Sequence, residues 1–393
     1  MAIVKLAEIA TVITKGTTPT SIGFDFVADG INFVKIESIT EAGCFIPEKF
    51  AHITEECHQK LSRSILQKND VLFSIAGAIG RTAIVNENIL PANTNQALAI
   101  IRIPDGVVNY SYLKYVLESP IITQQFEKKK QGVAQLNISL KDIGDFTIPL
   151  PSLVVQQKIV ATLTHTDTLI SLRKQQIAKL DELVKARFVE MFGMPGSDPF
   201  GWGLNHLGDC CQINPKRSQD TRLRSGLTVS FVPMSAVSET GDMDPTTEKD
   251  YEEVKTGFTY FAEGDVLFAK ITPCMENGKG AVARNLKNGI GFGSTEFHVL
   301  RPLAGKSDSD WLYAVTAFSE FRKDAESNMT GSAGQRRVPA SFLEQYKVAL
   351  PPVDMQHQFA AFVAQTDQQK LTIQHSLAQL ELLKKALMQK YFG

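Results

Sequence analysis

Residues 149–193 have the sequence PLPSLVVQQKIVATLTHTDTLISLRKQQIAKLDELVKARFVEMFG, which predicts one very long helix. Pro151 and Ser152 suit its start, because the first helical N–H groups have no partner and proline removes one of them without loss. No further Pro or Gly occurs until Phe192-Gly193, where glycine suits a left-handed C-cap. At 1.5 Å per residue such a helix is roughly 60 Å long. We therefore expect the rest of the chain to be organised around it.

An apolar stripe follows this predicted helix. Its members recur at seven-residue intervals, with Leu180 beside them, and are Leu163, Ile170, Ile177, Val184 and Met191. Charged residues such as Lys179 and Glu182 occupy the other face. An apolar repeat of seven residues indicates packing against a second long helix.

The second helix is predicted in the same chain, at residues 349–393, ALPPVDMQHQFAAFVAQTDQQKLTIQHSLAQLELLKKALMQKYFG. A shift of 200 residues places Gln156 on Gln356 and Phe192 on Phe392. The apolar stripe of this copy consists of Ile373, Leu377, Leu380, Leu387 and Tyr391. Charges along both segments exclude a membrane span. The chain is therefore predicted to be a duplication whose two long helices pack together.

Each long helix follows a unit of mixed composition. Apolar runs such as INFVKI, DVLFSIAG and ALAIIRI predict strands, whereas YSYLKYVLES and PIITQQFEKKK predict short helices without regular βαβ alternation. The second unit repeats DVLF, and GVAQLNI (132–138) returns as GSAGQRRV (331–338). We predict two tandem α+β domains (1–150 and 194–350), each followed by a helix (151–193 and 351–393), in a pseudo-twofold arrangement.

Composition limits the class of protein. A net charge of −1 excludes a uniformly basic nucleic-acid binder but allows local basic faces. The five cysteines are an odd number without paired spacing, which favours a reducing cytosol. The start, MAIVKLAEIATVITKG, lacks the pattern of a signal peptide, and no apolar run reaches 18 residues. We therefore expect a cytoplasmic protein without a membrane span.

The motifs of catalysis are incomplete in this sequence. Gly305-Lys306-Ser307 resembles the end of a phosphate-binding loop, but Leu300 stands where that loop needs glycine. Cys44, His52, Cys57 and His58 do not have the spacing of a zinc module, and the second copy lacks them. No [DN]-P-P-[FY] element of an amino-methyltransferase occurs. The sequence thus predicts no catalytic residues, no metal site and no cofactor in this chain.

Polar and basic clusters are the better candidates for function. Lys and Arg neutralise backbone phosphates, whereas Asn, Gln and Arg can make two hydrogen bonds to a base edge. Such residues fall on polar segments of both copies. The candidate DNA-binding residues are Lys15, Thr17, Thr18, Lys35, Asn95, Gln96, Lys128, Lys129, Gln135 and Asn137 in the first copy, and Lys216, Arg217, Lys270, Thr272, Gln335, Arg336 and Arg337 in the second.

The chain resembles the DNA-specificity subunit of type I restriction–modification enzymes over essentially its whole length. The resemblance is carried by the order of motifs in the two copies. The first copy has KGTTP, DVLF, GVAQLNI and IPLP before its long helix, and the second has DVLF, GSAGQRRV and ALPP before its own, without KGTTP. It implies that each globular unit is a target-recognition domain for half of a split DNA site. It further implies that the two helices pack antiparallel, that they hold the domains apart, and that they dock two modification subunits. S-adenosylmethionine, ATP and Mg would then belong to partner subunits, which could include restriction (translocase/nuclease) subunits.

The two copies differ where they are expected to meet DNA. The second has INPKRS (213–218) where the first has KGTTP, and Asn95-Gln96 aligns with Thr295-Glu296. We therefore expect an asymmetric bipartite site in double-stranded DNA, with half-site centres about one duplex turn, roughly 34–36 Å, apart. A two-headed cytosolic scaffold that binds proteins through both domains is the alternative.

Overall fold

The computed structural model describes residues 2–127, 138–332 and 334–393. The chain divides into two compact units. Unit 1 comprises the residues up to Lys174 together with His375–Gly393, and unit 2 comprises Gln175–Gln374. Each long helix therefore contributes one part to each unit. The predicted boundaries between domains and helices stay predictions.

Unit 1 combines short strands with short helices. Its strands are β1 (Ala2–Lys5), β2 (Val12–Lys15), β3 (Ile31–Val34), β4 (Ala51–Ile53), β5 (Val71–Ser74), β6 (Thr82–Ile84), β7 (Ala92–Thr94), β8 (Leu98–Arg102) and β9 (Thr147–Leu150). Its helices are α1 (Leu6–Ile9), α2 (Glu55–Lys60), α3 (Tyr110–Leu117), α4 (Pro120–Glu127) and α5 (Leu140–Gly144), followed by the first long helix α6 (Leu153–Phe192). The predicted strands and short helices of this unit are confirmed as far as Glu127; the end of the segment PIITQQFEKKK lies outside the described residues.

Three sheets build unit 1. The largest has the order β2-β8-β5-β6 and is antiparallel, while β4-β3-β7 includes a parallel pair between β3 and β7, and β1 pairs with β9. Buried side chains of β5 and β8 form the centre of the core. Apolar residues therefore line both faces of these two strands, as expected for strands covered on each side.

Unit 2 repeats this plan. Its strands are β10 (Leu204–His206), β11 (Cys211–Ile213), β12 (Thr228–Val232), β13 (Glu248–Asp250), β14 (Thr259–Ala262), β15 (Val266–Ala269), β16 (Gly280–Val282), β17 (Ile290–Gly293), β18 (Phe297–Pro302) and β19 (Lys347–Ala349). Its helices are α7 (Leu207–Cys210), α8 (Tyr251–Val254), α9 (Ser309–Ala317), α10 (Ser319–Ser327) and α11 (Ala340–Gln345), followed by the second long helix α12 (Val353–Phe392).

The sheets of unit 2 follow the topology of unit 1, except that β14 adds a fourth strand beside β17. Their orders are β11-β18-β15-β16, β13-β12-β17-β14 and β10-β19. The pair β12–β17 is parallel, as is the pair β3–β7 in unit 1. The predicted duplication of an α+β domain is thereby confirmed.

A buried ion pair fixes the central strands of each large sheet. In unit 1, Arg102 donates to both carboxylate oxygens of Asp70 at 2.7 Å. In unit 2, Arg301 donates to both carboxylate oxygens of Asp265 at 2.7 and 2.6 Å. Because both aspartates are almost fully buried, loss of one partner would leave an uncompensated charge inside the fold.

The two long helices pack antiparallel, as predicted. Within unit 1, Lys384 lies 2.7 Å from Asp167 and Glu381 lies 3.2 Å from Lys174. Within unit 2, Lys370 lies 2.9 Å from Asp181. As the residue numbers increase along α6, the numbers of the partner residues on α12 decrease, so the two helices run in opposite directions. Both helices are 40 residues long, and Gly193 ends the first in the left-handed conformation expected from the sequence.

The predicted stripe residues lie on the inner side of the pair. All of them are buried or half-buried, namely Leu163, Ile170, Ile177, Leu180, Val184, Met191, Ile373, Leu377, Leu380, Leu387 and Tyr391. Other leucines of the same helices are exposed, namely Leu172, Leu183, Leu371, Leu382 and Leu383. The seven-residue repeat therefore separates the packed face from the open one.

The ends of the long helices complete the core of each unit. In unit 1, Leu163 from α6 and Met388 and Phe392 from α12 join one buried cluster. The ring of Phe392 meets Tyr112 edge-on, with 5.6 Å between ring centroids. In unit 2, Phe188 of α6 and Phe359 of α12 meet in the same way at 5.5 Å. Each core is thus closed by the start of one long helix and the end of the other.

Two equivalent glutamines fasten the helix starts to their domains. Gln156 accepts a hydrogen bond from the Asn109 backbone N–H at 2.8 Å and donates to the Pro151 carbonyl at 2.8 Å. Gln356 accepts from the Asp308 N–H at 2.8 Å and donates to the Pro351 carbonyl at 2.9 Å. Both side chains are buried, so these amides fix each helix start where water cannot compete.

Phe392→Ala tests whether α12 completes the core of unit 1. The ring is buried, and truncation should lower the free energy of unfolding by about 3–5 kcal/mol because it leaves a cavity. Amide hydrogen exchange should show lost protection in β5 and β8 with unit 2 unaffected. Leu382→Ala, on the exposed face of the same helix, is the control and should change stability by less than about 0.5 kcal/mol. Equal effects of the two variants would contradict the packing.

Candidate nucleic-acid interface

In unit 2, a polar tip forms where two segments meet beyond the end of β15. We call Gln335–Val338 the arginine segment. The Thr272 N–H donates to the Arg336 carbonyl at 3.1 Å, and the Val338 N–H donates to the Lys270 carbonyl at 2.9 Å. These bonds bring together five of the predicted residues: Lys270, Thr272, Gln335, Arg336 and Arg337.

Arg337 is held by a carboxylate. Its Nε donates to Glu296 Oε2 at 2.9 Å and its Nη2 donates to Glu296 Oε1 at 2.8 Å. Its Nη1 donates to the Gln335 carbonyl at 3.1 Å. The hydrogen bond from Arg337 lowers the pKa of Glu296 below its ordinary value. The pair is therefore charged, and the guanidinium has one defined orientation.

Arg336 lies between two glutamates. Its Nη2 is 3.6 Å from Glu276 Oε1 and 3.5 Å from Glu326 Oε1, beyond the usual hydrogen-bond distance. Thr272 Oγ1 donates to Glu276 Oε1 at 2.8 Å, while Glu276 Oε2 is buried and has no hydrogen-bond partner among the described residues. Arg336 thus balances the charge of a carboxylate that is poorly compensated.

Lys270 is half-buried in the same tip. Burial lowers its pKa, and the charge of Glu296 opposes that effect in part. The approach of an anion stabilises the charged form of a partly desolvated ammonium group. Lys270 is therefore suited to a phosphate contact.

A histidine connects this tip to the turn that follows β11. His298 Nε2 donates to the Val338 carbonyl at 2.8 Å, and Nδ1 accepts from the Asn214 side-chain amide at 3.0 Å. Burial lowers the pKa of His298, so the neutral form is favoured. Asn214 has a positive φ of 51°, which turns the chain into the exposed residues Lys216 and Arg217. The turn that carries Lys216 and Arg217 and the arginine segment are thus fixed to one another.

Unit 1 has a corresponding tip at the KGTTP turn. Thr18 Oγ1 donates to Gln96 Oε1 at 2.5 Å, and the Gly16 N–H donates to the Asn95 carbonyl at 3.1 Å. A Cβ at Gly16 would lie 1.8 Å from the Thr94 carbonyl oxygen, so only glycine allows this approach. The predicted residues Thr18, Asn95 and Gln96 are therefore brought together.

The remaining candidates of unit 1 lie beside Gly16, after β3, or outside the described residues. Lys15 and Thr17 are exposed beside Gly16. Lys35 follows β3, and its ammonium lies 4.3 Å from the centroid of the Phe26 ring, within cation–π distance. The other four, Lys128, Lys129, Gln135 and Asn137, lie outside the described residues.

The backbone register corrects the alignment of the two tips. The Ile75 N–H donates to the Ala97 carbonyl, and the Lys270 N–H donates to the Glu296 carbonyl, each at 2.9 Å. Glu296 therefore corresponds to Ala97, and the alignment of Asn95-Gln96 with Thr295-Glu296 was wrong by one residue. The turns KGTTP and NPKRS both follow the strand at the edge of the large sheet. The two domains thus place different side chains on equivalent turns.

Three residues of this tip were not among the candidate DNA-binding residues, namely Asn214, Glu296 and His298. The first two lie in segments where the sequences of the two copies differ. Glu296 and His298 flank the start of β18, where an acid and a histidine interrupt an apolar strand. That interruption is a usable signal, because polar residues within apolar strands often have a specific partner. The partner itself, Arg337, is 41 residues away in the chain and could not be predicted from local pattern.

Metal-binding clusters and membrane-spanning helices are both absent from the described residues. Across residues 2–127, 138–332 and 334–393, no group of three or more His, Cys, Asp or Glu side chains is placed to hold a metal ion. Among those same residues, no helix is both long and apolar enough to span a bilayer.

The chain thus consists of two duplicated α+β units, each with its own polar tip and each including one part of both long helices. The model of the type I restriction modification DNA specificity domain matches residues 1–182 and 199–382. The chain belongs to this family. The resemblance predicted from the sequence is therefore confirmed.

Two curated relatives from Escherichia coli are similar to part of the chain. The type I restriction enzyme EcoAI specificity subunit is 41% identical over 184 residues, which cover 44% of this chain and 30% of the relative. The type I restriction enzyme EcoEI specificity subunit is 36% identical over 210 residues, which cover 51% of this chain and 35% of the relative. The matches thus span about a third of each relative's length.

A solved structure shares the fold. It comes from work on the complex assembly and conformational transition of the type I R-M system, and it aligns with 100% of this chain and 97% of its own. The TM-score is 0.60 and the sequence identity is 20%. At this identity the likeness concerns the fold alone.

The buried His298 predicts a pH dependence of unit 2. Because its pKa is lowered in the fold, the unfolded chain takes up the proton first as the pH falls. The contribution of His298 to stability should be complete above about pH 6.5 and lost as the pH falls through its lower folded pKa. NMR titration of the imidazole measures this directly. His357→Gln, at an exposed histidine of α12, should leave the titration unchanged. Titration of His298 above pH 6.5 would contradict the assignment.

Proposed function

We propose that this chain is the sequence-specific DNA-binding subunit of a type I restriction–modification complex. Each globular domain reads one half of an asymmetric bipartite site in double-stranded DNA. The helix pair sets the spacing of the half-sites and docks methyltransferase subunits. Membership of the DNA specificity family supports this proposal.

The observation that carries the proposal is the contrast between the two tips. They occupy equivalent places in duplicated domains, yet Ala97 corresponds to Glu296 and Ile75 to Lys270. A scaffold that repeats while the side chains at its tips diverge suits the recognition of two different half-sites. Identical tips would instead suit a symmetric site.

The candidate residues divide into two roles. Lys15, Lys35, Lys216, Arg217 and Lys270 present single ammonium or guanidinium groups, which suit phosphate contacts that position the protein without reading sequence. Amide side chains such as Gln96 can read a base edge. Lys128, Lys129, Gln135 and Asn137 are kept as candidates from the sequence alone.

The outer face of the long helices suits protein docking. Leu183 in unit 2 and Leu383 in unit 1 occupy equivalent positions, and each is 48% exposed. Leu382 is 68% exposed on the same helix as Leu383. Because the duplication repeats an exposed leucine, we infer one methyltransferase subunit for each copy. The free energy decreases when a partner protein covers exposed apolar groups of this kind.

Catalysis is assigned to the partner subunits. Methyl transfer with S-adenosylmethionine, and cleavage with ATP and Mg where restriction subunits are present, would take place on those proteins. The present chain supplies sequence recognition. Cytoplasmic localisation follows from this role, because the DNA and the partner subunits lie there.

Exchange of one domain tests this function. Residues 204–350 are replaced by the corresponding domain of a family member, and methylated sites are mapped in cells with the matching methyltransferase subunits. One half-site should change and the other should stay, because each tip belongs to its own domain. The same exchange for residues 1–150 is the reciprocal control. A change in both half-sites from a single exchange would contradict separate reading.

Binding to random duplex DNA distinguishes the proposal from a protein-binding scaffold. If Lys and Arg neutralise several phosphates, the affinity should fall steeply as salt rises, with a slope of about −0.9 for each phosphate in a plot of log K against log salt. A slope near zero would favour the scaffold.

A further inference from the structure

We propose that Arg337 reads a guanine in the half-site of the second domain and that Glu296 is the positioning residue that holds the arginine for this contact. The inference rests on the proposed function and makes it specific. Neither the family match nor the similarity to relatives assigns a base to any residue of this chain.

The guanidinium group of Arg337 uses only some of its N–H donors inside the fold. Arginine has five N–H donors, one on Nε and two on each terminal nitrogen. Glu296 accepts one from Nε and one from Nη2, and the Gln335 carbonyl accepts one from Nη1. One donor is left on each terminal nitrogen, and no other hydrogen bond of this guanidinium occurs within the described residues. Two donors thus stay available for a ligand.

Two donors on the terminal nitrogens of one guanidinium group can match the edge of one base. In the major groove guanine presents the acceptors O6 and N7, and a bidentate arginine is the commonest specific contact to them. Adenine offers one acceptor and one donor there, so it would oppose one of the two N–H groups. The side chain of Arg337 is 42% exposed, which leaves it accessible to a base.

Glu296 fixes the direction of this pair of donors. Its carboxylate occupies the side edge of the guanidinium through two short hydrogen bonds, while its own backbone is fixed by the bond from the Lys270 N–H. A free arginine would lose rotamer freedom on binding DNA, whereas Arg337 has lost most of it already. The carboxylate also repels phosphate, so it disfavours non-specific contacts.

The neighbouring Arg336 does not suit this role. Its guanidinium lies between Glu276 and Glu326 without a short hydrogen bond to either. Its charge is engaged with Glu276, whose second oxygen is buried without a hydrogen-bond partner in the described part of the chain. Of the two arginines, Arg337 is therefore the better suited to a bidentate contact.

The first domain lacks this arrangement at the same place. Ala97 corresponds to Glu296, so no carboxylate can hold an arginine there. The sequence has Asn137 before Ile138 where the second copy has Arg337 before Val338. The guanine contact therefore belongs to one half-site only, and it contributes to the asymmetry of the whole site.

The test uses the full chain in complex with the methyltransferase subunits of its host. The complex selects bound sequences from a synthetic duplex library with randomised positions. Wild type should select a guanine in the half-site of the second domain, against other bases by roughly 5- to 150-fold. Glu296→Gln and Arg337→Ala should each reduce that preference and leave the first half-site unchanged. Glu296→Gln should also raise the affinity for random duplex DNA, because it removes a negative charge.

The double variant separates positioning from folding. If Glu296 acts through Arg337, Glu296→Gln should have no further effect on the guanine preference when Arg337 is already Ala. The matched control is Glu87→Gln in unit 1, which breaks the exposed Lys68–Glu87 pair and should leave both half-sites unchanged. Full guanine preference in Glu296→Gln would overturn the inference. So would an equal loss of affinity on all sequences in Arg337→Ala, which would indicate a phosphate contact. Wild type that selects no bipartite sequence would instead overturn the proposed function itself.

Discussion

Burial of the aromatic ends of the long helices is the interaction on which the rest of the structure depends. A helix of 40 residues with an apolar stripe is not stable alone in water, because most helical stability comes from packing of that face. Phe188 and Phe359 close the core of unit 2, and Leu163 and Phe392 close that of unit 1. Neither domain core is complete without residues from both helices. Folding of the domains and pairing of the helices are thus one event within each unit.

The polar interface depends on this closed core. The buried pairs Asp70–Arg102 and Asp265–Arg301 fix the central strands, and the site residues follow directly at the ends of those strands. Because the strands cannot shift without exposing a buried charge, Glu296 keeps its place opposite Arg337. A rigid sheet with variable side chains at its edge can change specificity without loss of stability. That division explains how duplicated domains can share a core and differ in their tips.

The sequence predicted much of the fold because its signals are local. The seven-residue stripe, the glycine after Phe192 and the repeat at a shift of 200 are visible without any tertiary contact. The site was predicted only in part. Lys270, Thr272 and the arginines were found as basic or polar clusters, but Glu296, the partner of Arg337, lies 41 residues away in the chain. The sequence alignment paired Glu296 with Gln96, whereas the backbone hydrogen bonds pair it with Ala97. Because of this shift of one residue, the sequence did not indicate the role of Glu296.

The central claim is that the helix pair measures the distance between two half-sites. Four helix-forming residues inserted both after Lys174 and after Gln374 would lengthen each helix by roughly 6 Å and turn it only about 40° beyond a full turn. Matched insertions keep the antiparallel partners in register. Since duplex DNA rises about 3.4 Å per base pair, the gap between half-sites should grow by one or two base pairs while the bases that are read stay the same. Methylated-site mapping in cells measures this gap, and an unchanged gap with full activity would contradict the account.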